Sequence, residues 1–409
     1  MSEIIRNSYL KELCTWKDQK RIKVITGVRR CGKSTVLNQY INILKTIYKI
    51  RENQIQVFDF NNPKLLKFSY MELYDNILKN SIKGKKNYIF LDEIQEIKDF
   101  EKCVIGLYEN KDIDFDIYIT GSNSRMFSQE LATLFTGRET EIHIFPLSFK
   151  EIYDFSIQKT NVIDKYTIFN QYKMFGGLPI LLEHYENVEM NKKDLAMVVD
   201  GCIQKDIRNR NKIRNFVNFR KVTKYVFLQI GQMLSVLNLA SYIESNNKET
   251  LSHHTITRYL LWLCEALLVY KCENYDLNGK KVLLTTSKYY AVDTGIRNCE
   301  SDFSNVNNGS QLENIVYIEL LRRGYKVYVG KLKNGEIDFV AKKFEDTIFI
   351  QVTEKIDWDI ESKNYKREIG NLEAIKIHEP KMILSLYDSS QKTPSGIKIF
   401  NLIDWLLAN

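Results

Sequence analysis

The run GVRRCGKST, Gly27 to Thr35, constrains this chain more than any other stretch. It is preceded by RIKVIT, whose Ile and Val content reads as a buried strand. It is followed by KSTVLNQYINILK, in which Val36, Leu37, Tyr40, Ile41 and Leu44 recur at helical spacing. Gly27, four residues, then Gly32-Lys33-Ser34 satisfies GxxxxGK[ST] in the strand-to-helix context that gives the pattern its meaning. Glycines let the backbone curl so that several N–H groups aim at one anion, and the helix N-terminus adds partial positive charge. The segment predicts a phosphate cradle built from Gly27, Val28, Arg29, Arg30, Cys31, Gly32, Lys33, Ser34 and Thr35. In it Lys33 would reach the β- and γ-phosphates, and the Ser34 hydroxyl would bind Mg2+. Cys31 reads as a small residue at a variable loop position, although its oxidation would block the loop.

Such a cradle needs a second strand that ends in carboxylate. NYIFLDEIQ (87–95) supplies one, with Asp92 and Glu93 at the carboxyl end of an apolar run, where open α/β sheets bind ligands. Asp92 is expected to hold Mg2+ through water, and Glu93 to orient or deprotonate the attacking water. A third strand, FDIYITGSNS (115–124), runs into Ser122 and Asn123. That polar end is either a γ-phosphate sensor, with Asn123 in a catalytic role, or a plain loop. Arg138, before TEIHIF, is either an arginine aimed at the γ-phosphate, in cis or on a neighbouring subunit, or a surface residue. The tetrapeptide NKKD (191–194) matches a guanine-reading pattern, but its flanks ENVEM and LAMVV do not place it at the end of an apolar strand. The second carboxylate motif is also not DxxG, so ATP is the expected nucleotide.

The chain's 409 residues suit two or three domains. Hydrophobic residues at 44% and charged residues at 27% are ordinary for a soluble globular protein, and five prolines without a Ser/Gly-rich tract argue against long disordered linkers. A net charge of 59 − 51 = +8 is compatible with nucleic acid without requiring it. The seven cysteines form no CxxC pair, which removes zinc-ribbon and thioredoxin-type readings and suits a reducing cytoplasm. MSEIIRNSYL carries no apolar signal core, and the most apolar run, YLLWLCEALLVY (259–270), contains Glu265 and is too short to span a bilayer. A cytoplasmic protein without a membrane partner is expected.

Beyond residue 156 the apolar spacing is helical, as in YTIFNQYKMFGGLPILLEHY, with Gly176-Gly177 before Leu178-Pro179 marking a sharp break. Residues 205–225 carry eight Lys/Arg against one Asp, with Phe216, Phe219 and Tyr225 interleaved. Either Arg208, Arg210 and Arg214 track a DNA or RNA backbone, or this is a solvated helix face whose aromatics pack inward. Ser252 then reads as the N-cap of a helix whose stripe is Ile256, Tyr259, Leu260, Leu263 and Leu267. Two strands follow, joined at Asn278-Gly279. A helix before a hairpin is a winged-helix pattern, used to read DNA or to contact protein. His253 and His254 are adjacent and do not converge on one metal ion.

Taken together, GVRRCGKST, IFLDEIQ, ITGSNS and GRETEIHIFPLSFKE resemble the bacterial and archaeal AAA-like P-loop ATPases that carry a C-terminal domain of unknown function. YKMFGGLP (172–179), residues 252–281, KYYAVDTGIR (288–297) and GEIDFVA with IFIQV extend the resemblance over nearly the whole chain. It implies an α/β fold in three parts. An additional-strand P-loop NTPase core, with the sensor strand between the two Walker strands, would occupy 1–155. A helical and winged-helix-like part would occupy 156–300, and an α/β restriction-endonuclease-like part 301–409. ATP and Mg2+ are the implied cofactors, and a protein client or nucleic acid the implied partner.

A nuclease of that last kind needs an Asp, then (D/E)-x-K on the next strand. Asp338 fits the first position, but the second reads Gln351-Val352-Thr353, so the acid and the lysine are both absent. Gln351, Thr353 and Lys355 share one strand face and Glu354 points to the other, so a shift of frame does not restore them. With Glu313, Glu336 and Asp338 remaining, the expectation is a catalytically degenerate nuclease-like fold kept for binding.

Overall fold

The computed structural model describes residues 4–122, 135, 137–159, 164–247, 250–277, 279, 281–303, 308–333, 335–376, 378–388 and 392–408. The chain divides into two compact units, Met1–Phe145 with Glu265–Leu267, and Pro146–Cys264 with Leu268–Asn409.

The first unit runs α1 (Asn7–Trp16), β1 (Ile22–Thr26), α2 (Lys33–Thr46), β2 (Ile55–Asp59), α3 (Tyr70–Lys79), β3 (Lys86–Asp92), α4 (Phe100–Tyr108), β4 (Asp114–Gly121) and β5 (Glu139–His143). Its five strands are parallel and ordered β2-β3-β4-β1-β5. β4 therefore lies between β1 and β3, as the family resemblance implies. All five residues of β1 and the last six of β3 are buried, and the one lysine within β1, Lys23, is paired with the buried Asp116 of β4. Val24, Ile89, Leu91, Ile117 and Ile119 of the sheet pack against Leu73 and Ile77 of α3 and Val104 and Leu107 of α4. α3 starts on a capping box, Ser69 with Glu72. Because all strands run the same way, the turns after β1, β3 and β4 gather at one edge of the sheet.

The second unit opens with α5 (Phe149–Lys159), α6 (Lys165–Phe175) and α7 (Val188–Gly201), which continues as a π-helical turn over Cys202–Arg208. Then come α8 (Phe216–Leu228), β6 (Met233–Leu234), α9 (Val236–Asn247), α10 (His253–Glu265), β7 (Val269–Asp276), β8 (Lys281–Ala291), α11 (Thr294–Glu300) and α12 (Asn308–Arg322). It closes with β9 (Lys326–Leu332), β10 (Gly335–Lys343), β11 (Asp346–Thr353), short helical turns over 363–373, β12 (Lys381–Ser385), β13 (Lys398–Asn401) and α13 (Leu402–Leu407). One eight-stranded sheet holds every strand of this unit, in the order β13-β12-β11-β10-β9-β7-β8-β6. β7 pairs with β9 in parallel, Asn274 opposite Val329. Strands from both sides of residue 300 thus share one sheet, so the division expected there falls inside a single unit. The division expected at 155 lies after Phe145 instead.

The expected break at Gly176-Gly177 has a specific cause. Asp293 caps α11, accepting from the N–H groups of Gly295 and Ile296 at 2.8 and 3.2 Å, and it also accepts from the Gly177 N–H at 2.6 Å. A Cβ on Gly176, where φ is 76°, would lie 1.9 Å from the Asp293 carboxylate, and one on Gly177 would lie 2.1 Å from the Leu147 carbonyl. The GGLP and VDTG motifs are therefore two halves of one corner. Burial pushes the Asp293 carboxyl up to about 6, against the pull of its three backbone donors. The Asn278 half of the expected hairpin turn lies outside the described residues. Among the described residues no helix is long and apolar enough to cross a membrane.

Candidate nucleotide-binding site

β1 ends at Thr26, and the chain turns through Gly27 at φ 153° to Gly32 at φ 102°, the N-cap residue of α2. Both angles favour glycine. A Cβ on Gly27 would meet the Ile144 carbonyl at 2.2 Å, so the loop closes only without a side chain there. The Cys31 thiol donates to the same Ile144 carbonyl at 3.2 Å, and burial pushes its ionisation up, which makes it an inert filler. Behind the loop, the buried Arg6 guanidinium donates to the Cys31 carbonyl at 3.3 Å and to the Phe145 carbonyl at 3.1 Å. Arg6 was not legible in the sequence. It is a lone arginine ahead of the first helix, with no pattern around it.

Lys33 opens α2 with its side chain 3% exposed. It donates to the Gly27 carbonyl at 3.0 Å and the Val28 carbonyl at 3.4 Å, and lies 3.3 Å from the Glu93 carboxylate. Glu93 leaves β3 in the left-handed region, φ 54°, a strained position for a residue with a side chain. Thr120, near the end of β4, ties the acidic pair together. Its hydroxyl accepts from the Glu93 N–H at 2.9 Å and donates to the Asp92 carboxylate. The Ser34 hydroxyl also favours the charged form of Asp92. One middle-strand threonine thus fixes both carboxylates that the sequence singles out.

The two carboxyls are poised differently. Burial raises Asp92, with Glu93 and Asp59 adding to the rise, while the Ser34 and Thr120 hydroxyls pull the other way. Burial also opposes charge on Glu93, but Lys33, Arg29 and the Gln95 amide together outweigh it and hold that carboxyl below its ordinary range. A buried acid kept ionised by a lysine and an arginine can accept a proton or orient a water. The site fits a triphosphate with Mg2+. Its loop excludes a side chain at Gly27, its lysine lies along the loop carbonyls, and Ser34 and Asp92 offer hard oxygen donors that interact with each other.

Ser122 is buried just past the end of β4. Asn123 lies outside the described residues. Arg138 is not brought to the cradle within this chain. Its carbonyl accepts from the Ile22 N–H at 2.7 Å, at the amino end of β1, and its guanidinium pairs with Glu109 at 2.8 Å. The length of β1, about 16 Å at ~3.3 Å per residue, separates that edge from Gly27. The cis role is corrected accordingly. In the second unit Arg208 packs over the Phe216 ring at 4.7 Å, Arg210 lies 3.5 Å from the buried Asp206 carboxylate, and Arg214 is exposed. Phe219 is buried against Tyr259 and Trp262, and Tyr225 packs on Tyr242 with centroids 4.5 Å apart. Of the two readings of 205–225, these contacts favour the solvated face.

A parallel β2-β3-β4-β1-β5 sheet with this cradle and acidic pair defines an AAA-like P-loop NTPase core. Comparison with known proteins agrees. Residues 19–153 match an AAA domain, and residues 166–307 match a domain of unknown function, DUF8612. An uncharacterized protein of Haemophilus influenzae is 34% identical over 408 residues, covering 99% of this chain and 98% of that one. An uncharacterized protein of Methanocaldococcus jannaschii is 33% identical over 370 residues, covering 87% and 79%. Among solved structures, a Walker-type ATPase of Pyrococcus abyssi superposes with a TM-score of 0.49 at 14% identity, covering 73% of this chain and 96% of that one. The chain belongs to the family of these bacterial and archaeal relatives, AAA-like P-loop ATPases that continue into a domain of unknown function.

Proposed function

We propose that this chain is a Mg2+-dependent ATP hydrolase that acts as a switch or remodeller on a client. The observation that carries the reading is the convergence of Lys33, Ser34, Asp92 and Glu93 at one edge of the parallel sheet, with Thr120 fixing the two acids. In this reading the N–H groups of Gly27–Thr35 and the Lys33 ammonium bind the β- and γ-phosphates. Ser34 and Asp92 hold Mg2+, which when bound neutralises phosphate charge. Glu93 orients the attacking water and takes its proton. The seven free cysteines suit a cytoplasmic setting.

The test is steady-state phosphate release with Mg2+ and ATP, set beside nucleotide binding. Lys33→Ala should abolish binding. Glu93→Gln should bind ATP and turn it over at least about 100-fold more slowly. Unchanged turnover in both variants would sink the proposal.

A second reading, that nucleic acid is the client, has one observation in its favour. α9 and α10 lie in sequence between β6 and the β7–β8 hairpin, with β6 paired antiparallel to β8, an order we read as winged-helix-like. The leading end of α10 leaves His253, His254, Thr257 and Arg258 exposed. Turnover that rises with added duplex DNA would assign the client to that face, and turnover indifferent to DNA would assign a protein client.

A further inference from the structure

A cavity of about 590 Å3 in the second unit is lined by Lys288, Glu313, Glu336, Asp338 and Gln351, among others. These include the residues that the sequence compares with a metal-dependent nuclease, and the structure adds one it did not single out. Lys288, on β8, sends an ammonium with 4% side-chain exposure to within 3.3 Å of a Glu313 oxygen and 3.1 Å of a Glu336 oxygen. The Tyr290 hydroxyl donates to that same Glu313 oxygen at 3.2 Å, and Lys331 takes the other Glu336 oxygen at 2.6 Å. Asp338 spends one oxygen on the Val352 N–H at 2.8 Å. Gln351, in place of the second acid, accepts from the Asp338 N–H at 3.3 Å. Glu368, whose side chain is 6% exposed, also lines the cavity. One of its oxygens takes Arg367 at 2.9 Å, and the other has no hydrogen-bond partner.

These carboxylates would suit a hard divalent ion, which binds oxygen at about 2.0–2.6 Å. An ammonium already lies between two of them at ordinary ion-pair distance, and the two cations exclude each other by position and by charge. As the side chains stand, with the Lys288 ammonium between Glu313 and Glu336, no three His, Cys, Asp or Glu side chains among the described residues are arranged to hold a metal ion. The metal that the nuclease-like resemblance implies does not fit this pocket. We infer that Lys288 stands in the place of that ion, so that the pocket excludes Mg2+ and Mn2+, and that a Mn2+ site of Glu313, Glu336 and Asp338 forms only when Lys288 is neutralised and the carboxylates close on the vacated position. The cavity remains as a binding pocket whose centre is charge-balanced from within, and the unpaired Glu368 oxygen offers an acceptor at its wall.

The test uses the full chain with Ser34→Ala and Asp92→Asn, which silence the ion site of the first unit. Free Mn2+ is followed by electron paramagnetic resonance during titration. This background should show no saturable Mn2+ binding. Adding Lys288→Met should create one site per chain, at least about tenfold tighter than any background binding, and adding Asp338→Asn should remove it again. The inference is overturned if the background already binds an ion that Asp338→Asn abolishes. It is equally overturned if Lys288→Met, with an unchanged circular dichroism spectrum, gains no site. Should that variant fail to fold, Lys288→Gln replaces it, and the background titration decides by itself because it leaves Lys288 untouched.

Discussion

Thr120 is a single hydroxyl that serves two acids, accepting from the Glu93 backbone and donating to Asp92. Thr120→Val keeps the strand's shape and removes both bonds. We expect kcat for ATP to fall about 10- to 100-fold with KM nearly unchanged, because the residue positions the acids without touching phosphate. Steady-state kinetics separate that result from a binding defect. Glu93 gives a pH signature. Its carboxyl is held low, so its working, ionised form persists as pH falls until the medium drops below the ordinary carboxylate range. Removing one of its cations with Arg29→Met should raise that carboxyl and move the acid limb of the pH–rate profile to higher pH. A profile that does not move would remove Arg29 from the site. Lys33, Ser34, Asp92 and Glu93 were legible because each belongs to a pattern tied to a strand end or a helix start. Thr120 was not, since a threonine two residues before Ser122 reads as the last turn of a strand. Arg138 was left open between a γ-phosphate role in cis, one on a neighbouring subunit, and a surface position, and the physical reason it does not reach the cradle of its own chain was open to sequence. A residue just before a parallel strand lies at the amino edge, away from the cradle.

At the scale of elements, glycine placement carries the sharpest expectations. Gly177→Ala sets a Cβ against the Leu147 carbonyl and displaces the N–H that Asp293 accepts. It should cost the second unit about 2–4 kcal/mol in denaturant unfolding. Gly201, at the end of α7, has helical backbone angles and open space around it. Gly201→Ala should be neutral or stabilise by about 0.5–1 kcal/mol, and this control separates crowding from loss of flexibility. Strand and helix existence was readable in the first unit, where β1, β3 and β4 are rich in β-branched and aromatic residues and mostly buried. The corner at Gly176 was readable as a break but not as a partner of Asp293, because a hydrogen bond across 116 residues leaves no local trace.

For the whole molecule, the parallel pairing of β7 with β9 decides where the chain can be cut. A fragment ending at residue 300 loses β9 to β13 and leaves β7 as an open edge, so it should aggregate or lack a cooperative melt. A fragment spanning 146–409 keeps the eight-stranded sheet and should stay soluble and melt as one transition. Expression of both, followed by limited proteolysis, tests this directly. Motifs report local chemistry and suggest a boundary at residue 300, whereas sheet membership depends on which strands meet and joins strands from both sides of it. The Asp293–Gly177 bond carries a further consequence during synthesis. A ribosome adds about 5–20 residues per second, so roughly 6 to 23 s pass between the emergence of Gly177 and that of its carboxylate partner. For that interval α5 and α6 stand outside the exit tunnel beside an unlatched corner, open to a nascent-chain chaperone.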